Sequence, residues 1–160
     1  MCIGNHSTFA ASLSQNISEW EKIGTVKEVL CWIKEGVKLP FSTEPESCRL
    51  QNRNLSKQQS DFVSQEIKKL LCTGAIERCS SKPRCVSPIG CVPKKGGKLR
   101  MITDLRKINE YCVAPKFSSE DIGIVPTLVK SKDVCVTLDL KDGFHHISIH
   151  PDYRQYLGIQ

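Results

Sequence analysis

The sequence has 160 residues, of which 39% are hydrophobic and 25% are charged. This length and composition are typical of one globular domain with its own core, and they exclude a chain that is disordered throughout. No stretch is apolar for long enough to span a membrane. The net charge of +6 is moderate, so the placement of the bases is more informative than their number.

Cysteine usage indicates the redox compartment. The chain has nine cysteines, and its start has neither the basic region nor the continuous apolar region of a secretory signal. We therefore expect reduced thiols in an intracellular protein of the cytoplasm or nucleus. Cys79, Cys85 and Cys91 recur every six residues, but no CxxC pair or Cys/His set accompanies them, which argues against a zinc site.

The N-terminal part is predicted to hold a mobile leader and one helix. Residues 1–17 are rich in Ser and Asn and follow no clear period. Apolar residues spaced three and four apart then predict an amphipathic helix over residues 25–35. A capping box of Thr25 and Glu28 would start this helix, and Gly36 would end it.

A second helix is predicted after the polar connector 40–55. Ser56 and Gln59 are spaced for a capping box, the apolar residues that follow share one side, and Gly74 stops the pattern. The period then shortens, and residues 75–78 are a strand candidate.

A hairpin with a basic tip is predicted next. Residues 87–92 form an extended run bracketed by Pro88 and Pro93, which should occupy exposed positions. Gly96 and Gly97 both tolerate positive φ, so they favour a tight turn to a second extended run. The tip carries Lys94, Lys95, Lys98 and Arg100.

The remaining elements lead to an acidic cluster. We expect a short helical turn at 105–109 and a helix over about 119–130, interrupted or started by Pro126. Residues 134–138 are rich in β-branched side chains and almost continuously apolar, which predicts a buried central strand. Residues 157–159 resemble the beginning of another strand.

Bases are concentrated between residues 82 and 107, where Asp104 is the single acid. Such a cluster attracts phosphate groups, although charge alone favours an ordinary solvated surface. The bases are Lys82, Arg84, Lys94, Lys95, Lys98, Arg100, Arg106 and Lys107.

The stretch LDLKDGFHHI, residues 138–147, could form a nucleotide pocket. A buried strand that ends in Asp139 places a carboxylate at the rim of a sheet, where Mg²⁺ commonly offsets its charge. Asp142 follows after a turn, Gly143 permits close approach of the backbone, and Phe144 offers an apolar wall. An equally weighted alternative makes Asp142 a helix N-cap and places Phe144 in the core.

This stretch resembles the first catalytic motif of reverse transcriptases. The segment VSPIGCVPKKGGKLRMITDLRKIN is similar to the fingers of the same enzymes, and HPDYRQYLGI follows in the expected order. Upstream, LSKQQSDFVSQEIKKLLCTGAIE resembles the helix that opens retroelement fingers. The segment WEKI…EGVKLPF is similar to the region before it in DIRS-like retrotransposons.

The resemblance covers roughly residues 20–160 and implies an α+β fold, namely the fingers and partial palm of a right-hand polymerase, truncated. It implies an N-terminal helix and connector at 18–55 after the leader 1–17. The fingers subdomain would occupy 56–130, and the start of the palm would occupy 131–160.

The family pattern also implies roles for individual residues. Asp139 would bind the catalytic Mg²⁺ ions, and the Leu140 carbonyl would contact one of them. Arg100 and Lys95 would contact the incoming triphosphate, with Lys94 as the alternative if the hairpin register differs.

The nucleotide itself would meet the turn after the first aspartate. Asp142 and Gly143 would line its phosphates and sugar, and Phe144 would be the wall that excludes a 2′-hydroxyl. Asp104 and Arg106 are interpreted as structural supports or template contacts. His145, His146 and His150 are expected to be packing or surface residues.

The implied reaction is template-directed addition of deoxynucleotides by two-metal catalysis, with an RNA or DNA template-primer and a deoxynucleoside triphosphate as partners. A second acidic motif, Tyr-X-Asp-Asp, does not occur in the sequence. We therefore expect a fragment that is inactive alone, and whose apolar palm edge needs the missing downstream palm segment or a partner chain. The alternatives are a non-catalytic nucleic-acid-binding remnant and an interaction module.

Overall fold

The computed structural model describes residues 10–113, 122–137 and 139–160. Its N-terminal part is helical: a 3₁₀ helix spans Ser12–Asn16, α1 spans Ile17–Lys22 and α2 spans Lys27–Glu35. The leader prediction falls partly on residues 1–9, which lie outside the described residues. Helix α1 was not predicted.

Helix α2 confirms the predicted amphipathic helix but not its capping box. The Thr25 N–H donates to the Trp20 carbonyl at 3.2 Å and so closes the end of α1. Val26 is therefore the N-cap of α2, and no side chain caps it. Gly36 ends the helix with φ 94°. A Cβ on Gly36 would lie 2.6 Å from the His150 nitrogen, so glycine is needed there.

Helix α3, Lys57–Thr73, confirms the second predicted helix in detail. The Ser56 hydroxyl accepts from the Gln59 N–H, the Gln59 side chain accepts from the Ser56 N–H, and Gly74 follows with φ 73°. The strand prediction for 75–78 is wrong. The N–H groups of Ala75 and Ile76 both donate to the Leu70 carbonyl, so the helix end uses the amides that a strand would need.

A small parallel sheet joins distant parts of the chain. It consists of β1 (Cys48–Arg49), β2 (Cys85–Ser87) and β5 (Gly158–Ile159), in the order β1-β2-β5. Strand β5 confirms the predicted strand start near the last residues, whereas β1 was not predicted. The β2 pairs are Cys48 with Cys85 and Val86 with Gly158.

The predicted run 87–92 is divided at Pro88. Strand β3, Ile89–Pro93, pairs antiparallel with β4, Leu99–Thr103, in a separate two-stranded sheet. Pro88 lacks an N–H, and the Ile89 N–H donates to the Asn52 side chain at 2.8 Å. The pairing of Pro93 with Leu99 confirms the predicted hairpin.

The core lies beside β2. Cys85, Ile108 and Tyr156 are buried together, and Phe41, Cys48 and Tyr153 pack against them. Ile108 belongs to α4, Arg106–Asn109, which confirms the predicted helical turn. Tyr153 belongs to α6, Pro151–Arg154. The core therefore joins the connector before α3 to the helix before β5.

The region after α4 is more exposed than the sequence indicates. A 3₁₀ helix, Ile122–Ile124, leads into α5, Val125–Leu128, so the predicted helix is shorter and its start lies outside the described residues. Residues 133–137 form no strand, and Val134 and Val136 are 91% and 77% exposed. The prediction of a buried strand is wrong for these residues, and Leu138 lies outside the described residues.

Residues 133–137 form no strand because they have no described partner strand. A strand is stable only beside a hydrogen-bonded neighbour, and no described strand pairs with residues 133–137. Helices and strands together give the described chain a mixed α+β character, as expected. None of its described helices is long and apolar enough to cross a bilayer.

Candidate nucleotide and nucleic-acid site

The hairpin β3–β4 presents cations on a stiff element. The Lys94 N–H donates to the Lys98 carbonyl at 2.6 Å, and Gly96 and Gly97 make the turn with φ 82° and 72°. Lys94, Lys95, Lys98 and Arg100 are all exposed. In the described part of the chain, no carboxylate forms an ion pair with any of these four side chains. Their charge is therefore available to an external anion.

The two faces of the hairpin carry different side chains. Arg100 is opposite Val92, and Ile102 is opposite Gly90, so all four share one face. Val92 and Ile102 are 36% and 37% exposed on it. This face therefore offers a guanidinium beside apolar surface. Leu99 lies on the other face, towards α3.

The bases that follow β4 are already paired. Arg106 donates to both carboxylate oxygens of Asp104, at 2.8 and 2.6 Å, and Arg53 lies 3.6 Å from the same carboxylate. Hydrogen bonds from Arg106 lower the pKa of Asp104 to about 2. The geometry supports the structural role predicted for Asp104 and Arg106. No sequence signal connected Arg53 to them.

Other bases of the cluster also have carboxylate partners. Arg84 donates to Glu44 at 2.7 Å, and Lys107 donates to Glu110 at 2.7 Å. Glu44 accepts in addition from the Tyr156 hydroxyl at 2.7 Å, which anchors the connector to the core. The hairpin tip is therefore the part of the basic cluster best placed to bind phosphate.

The predicted acidic motif forms an exposed turn. Asp139 and Leu140 are exposed and have no regular structure, with Leu140 at 68%. Asp142 has φ 54° and precedes a 3₁₀ helix, Gly143–His146, in which the His145 N–H donates to the Asp142 carbonyl at 2.9 Å. Phe144 is 100% exposed.

These observations overturn the alternative in which Asp142 caps a helix and Phe144 lies in the core. The Asp142 side chain makes no capping hydrogen bond, and Phe144 contributes nothing to the core. A fully exposed aromatic ring close in sequence to Asp139 and Asp142 is poorly explained by folding alone. The turn therefore has a surface available for a ligand.

The described donors do not complete a metal centre. Mg²⁺ takes six oxygen ligands and is commonly held by at least one or two carboxylates. Among residues 10–113, 122–137 and 139–160, no group of three His, Cys, Asp or Glu side chains is placed to hold a metal ion. Asp139 and the Leu140 carbonyl could supply part of a coordination shell, but the described residues alone do not fit two ions.

The structure thus keeps the predicted residues in two groups. Asp139, Leu140, Asp142, Gly143 and Phe144 lie in one turn because they are neighbours in sequence. Lys95 and Arg100 lie on the hairpin, and no ion pair or hydrogen bond of the described residues joins them to that turn. An anion between the two groups would be needed to connect them.

Comparison with known proteins indicates which family the segment with the basic hairpin and the acidic turn resembles. Residues 92–160, from the hairpin to the acidic turn and β5, match the family described as reverse transcriptase (RNA-dependent DNA polymerase). This part of the chain is therefore similar to reverse transcriptases of the retroelement type.

The curated relatives are Pol polyproteins. The Pol polyprotein of equine infectious anemia virus (strain Wyoming) is 29% identical over 105 residues, covering 66% of this chain and 9% of the polyprotein. The retrovirus-related Pol polyprotein from transposon gypsy of Drosophila melanogaster is 34% identical over 102 residues, covering 60% and 10%. That of caprine arthritis encephalitis virus (strain Cork) is 27% identical over 103 residues, covering 64% and 9%. The chain spans about a tenth of the length of these relatives. The DIRS-like subgroup stays a prediction.

Proposed function

We propose that this chain supplies the fingers and the beginning of the palm of a retroelement polymerase that adds deoxynucleotides along a template. Residues 56–130 form the fingers part, and residues 131–160 begin the palm. The observation that carries the proposal is the hairpin β3–β4, with four exposed cations that have no carboxylate partner in the described chain. The family match across the same hairpin supports it.

The hairpin binds phosphate in this proposal. Arg100 presents a planar set of N–H donors that matches two phosphate oxygens at once, whereas Lys95 acts as a compact charge. Because Lys95 lies at the tip and Arg100 lies on β4, the two cations can contact different phosphates of one triphosphate. The apolar surface of Val92 and Ile102 beside Arg100 lowers the local dielectric and strengthens these contacts.

The acidic turn receives the rest of the nucleotide. Asp142 and Gly143 line its phosphates and sugar, and the exposed ring of Phe144 is the wall that a 2′-hydroxyl would meet. Asp139 and the Leu140 carbonyl contribute ligands for Mg²⁺, the cation that the family relationship implies. The remaining ligands come from groups outside the described residues.

Binding of a primed RNA template tests the role of the hairpin. Replacing Lys94, Lys95 and Lys98 together by Ala should weaken binding and lower the slope of log K against log salt. The magnitude of this slope decreases by about 0.9 for each duplex phosphate contact that is removed, so the loss of three lysines should lower it by about 2 to 3. Fluorescence anisotropy between low and moderate salt measures both quantities.

A charge-matched control separates the hairpin from the overall net charge. Lys22, Lys34 and Lys69 each pair with a carboxylate on the helices, so their replacement by Ala also removes three positive charges. The proposal requires this control to keep the wild-type slope within error. An equal loss in both triple variants would show that net charge alone drives the binding.

Nucleic-acid binding without catalysis is a second candidate, favoured by the incomplete set of metal ligands among the described residues. A polypeptide of these 160 residues is expected to bind primed template but to incorporate no labelled deoxynucleotide. If the wild-type chain incorporated labelled deoxynucleotide and Asp139→Ala abolished this incorporation, the expected inactivity would be falsified. Such a result would favour template-directed polymerisation by this chain.

A further inference from the structure

The N-terminal segment reaches the acidic turn. The Ala11 N–H donates to the His145 carbonyl at 2.9 Å, and the Ser12 hydroxyl lies 2.6 Å from the Nδ1 atom of His146. These contacts join residues that are 134 positions apart. Ala11 and Ser12 lie outside residues 92–160, which match the family. The contact is therefore a feature of this chain beyond the matched region.

Hydrogen-bond chemistry fixes the direction of the contact. The Nε2 atom of His146 lies 3.1 Å from the Lys141 carbonyl, which can only accept a hydrogen bond. Nε2 therefore carries the proton, and in the neutral ring Nδ1 accepts from the Ser12 hydroxyl. His146 thus connects Ser12 to the residue that precedes Asp142.

The connected turn has a backbone that needs external support. Asp142 has φ 54° and Ala11 has φ 58°, and both are residues with a Cβ in the left-handed region. Such conformations persist when surrounding contacts determine them, and they are common at functional sites. Two such residues, Ala11 and Asp142, lie on the two sides of one hydrogen-bonded junction.

The N-terminal segment also contacts the helices of the fold. The Ala10 N–H donates to the Thr73 carbonyl at 3.2 Å, at the end of α3. The 3₁₀ helix Ser12–Asn16 also contacts α1 and α2. The N-terminal segment therefore contacts three helices as well as the turn.

We propose that Ser12 and His146 are positioning residues, which hold the turn Asp142–Phe144 in the conformation that binds the triphosphate. The inference rests on the proposed function, because it names what aligns the proposed nucleotide site. A turn that is already ordered loses less conformational entropy when a nucleotide binds, so the contact raises affinity without touching the ligand. Neither residue is a catalytic residue.

The test uses the whole chain and three variants, two at position 12 and one control at position 47. Ser12→Ala removes the hydroxyl, and Ser12→Thr restores one. Ser47→Ala is the matched control, because the Ser47 hydroxyl also donates to a backbone carbonyl, that of Arg84 at 2.9 Å, and not to the N-terminal segment or the turn. Nitrogen-15 NMR of the His146 ring reports the hydrogen bond at Nδ1, amide exchange of His145 reports the turn, and titration with dTTP and Mg²⁺ reports affinity.

Ser12→Ala should shift the Nδ1 resonance of His146, because this nitrogen loses its hydrogen-bond donor, and speed exchange of the His145 amide by about five-fold, the effect of one hydrogen bond of ordinary strength. Affinity for dTTP should fall by a similar factor, with Ser12→Thr and Ser47→Ala close to wild type. Unchanged exchange and affinity in Ser12→Ala would overturn the positioning role. Failure of the wild-type chain to bind dTTP would overturn the proposed nucleotide site instead, so the two failures are distinguishable.

Discussion

Replacement of Gly158 by alanine tests the parallel sheet on which the core depends. Gly158 lies in β5, and a Cβ added there would lie 2.7 Å from the Cys85 carbonyl oxygen and 2.7 Å from the Pro83 Cβ. Ordinary contacts of a Cβ begin near 3.4 Å, so the neighbours would have to move by about 0.7 Å. The carbonyl is backbone and cannot rotate away, so β5 must separate from β2.

The cost follows from this displacement. Overpacking costs about 1–3 kcal/mol, and a clash with backbone belongs at the upper end, about 3 kcal/mol. At about 2–4 °C for each kcal/mol in a domain of this size, Tm should fall by about 6–12 °C. Thermal unfolding followed by circular dichroism, at one protein concentration and pH, measures the change.

A second glycine provides the control. The nearest atom to a Cβ on Gly143 is the Leu140 Cβ at 3.5 Å, which is ordinary contact. Gly143→Ala should therefore unfold within about 2 °C of wild type, as is usual for surface substitutions. If Gly158→Ala unfolded as close to wild type as this control, the described contact between β5, Cys85 and Pro83 would be refuted.

Three further changes test the capping box, the ion pair after β4 and the anchored connector. Ser56→Ala should lower the free energy of unfolding by about 1 kcal/mol in urea titrations, because the Gln59 N–H loses its acceptor. Because Arg106 lowers the pKa of Asp104 to about 2, the stabilisation from this pair is present above about pH 4 and is lost as pH falls towards 2. Asp104→Asn should flatten the acid side of the stability profile, and an unchanged profile would contradict the pairing. Tyr156→Phe removes the donor to Glu44 and should cost about 1 kcal/mol, while unchanged stability in thermal melts would show that the connector is held otherwise.

Local signals in the sequence predict the parts of the fold that local contacts determine. The capping pair Ser56 and Gln59, the helix-ending Gly74 and the turn at Gly96 and Gly97 all act within a few residues, and the structure confirms each of them. Strands depend on distant neighbours. The apolar run 134–138 looked like a central strand because composition shows β propensity but not the presence of a partner strand.

The candidate site likewise has features that the sequence predicts and features that only the structure shows. The hairpin cations and the turn from Asp139 to Phe144 are contiguous motifs, so sequence alone could select them. The exposure of Phe144 and the left-handed backbone of Asp142 were not predictable from composition. The contact between Ser12 and His146 joins the two ends of the chain, and neither residue stands in a pattern that indicates the other.

The most direct test of the proposed function is the affinity of the chain for dTTP with Mg²⁺, compared with that of Arg100→Ala. Arg78→Ala is the matched control, because Arg78 is an exposed arginine outside the hairpin. Loss of a charged hydrogen-bonding partner of phosphate costs about 1.5–3 kcal/mol, so Arg100→Ala should weaken binding by about 10- to 150-fold. The control should bind as wild type does. Equal affinities for all three proteins would contradict the assignment of the hairpin as the triphosphate-binding element.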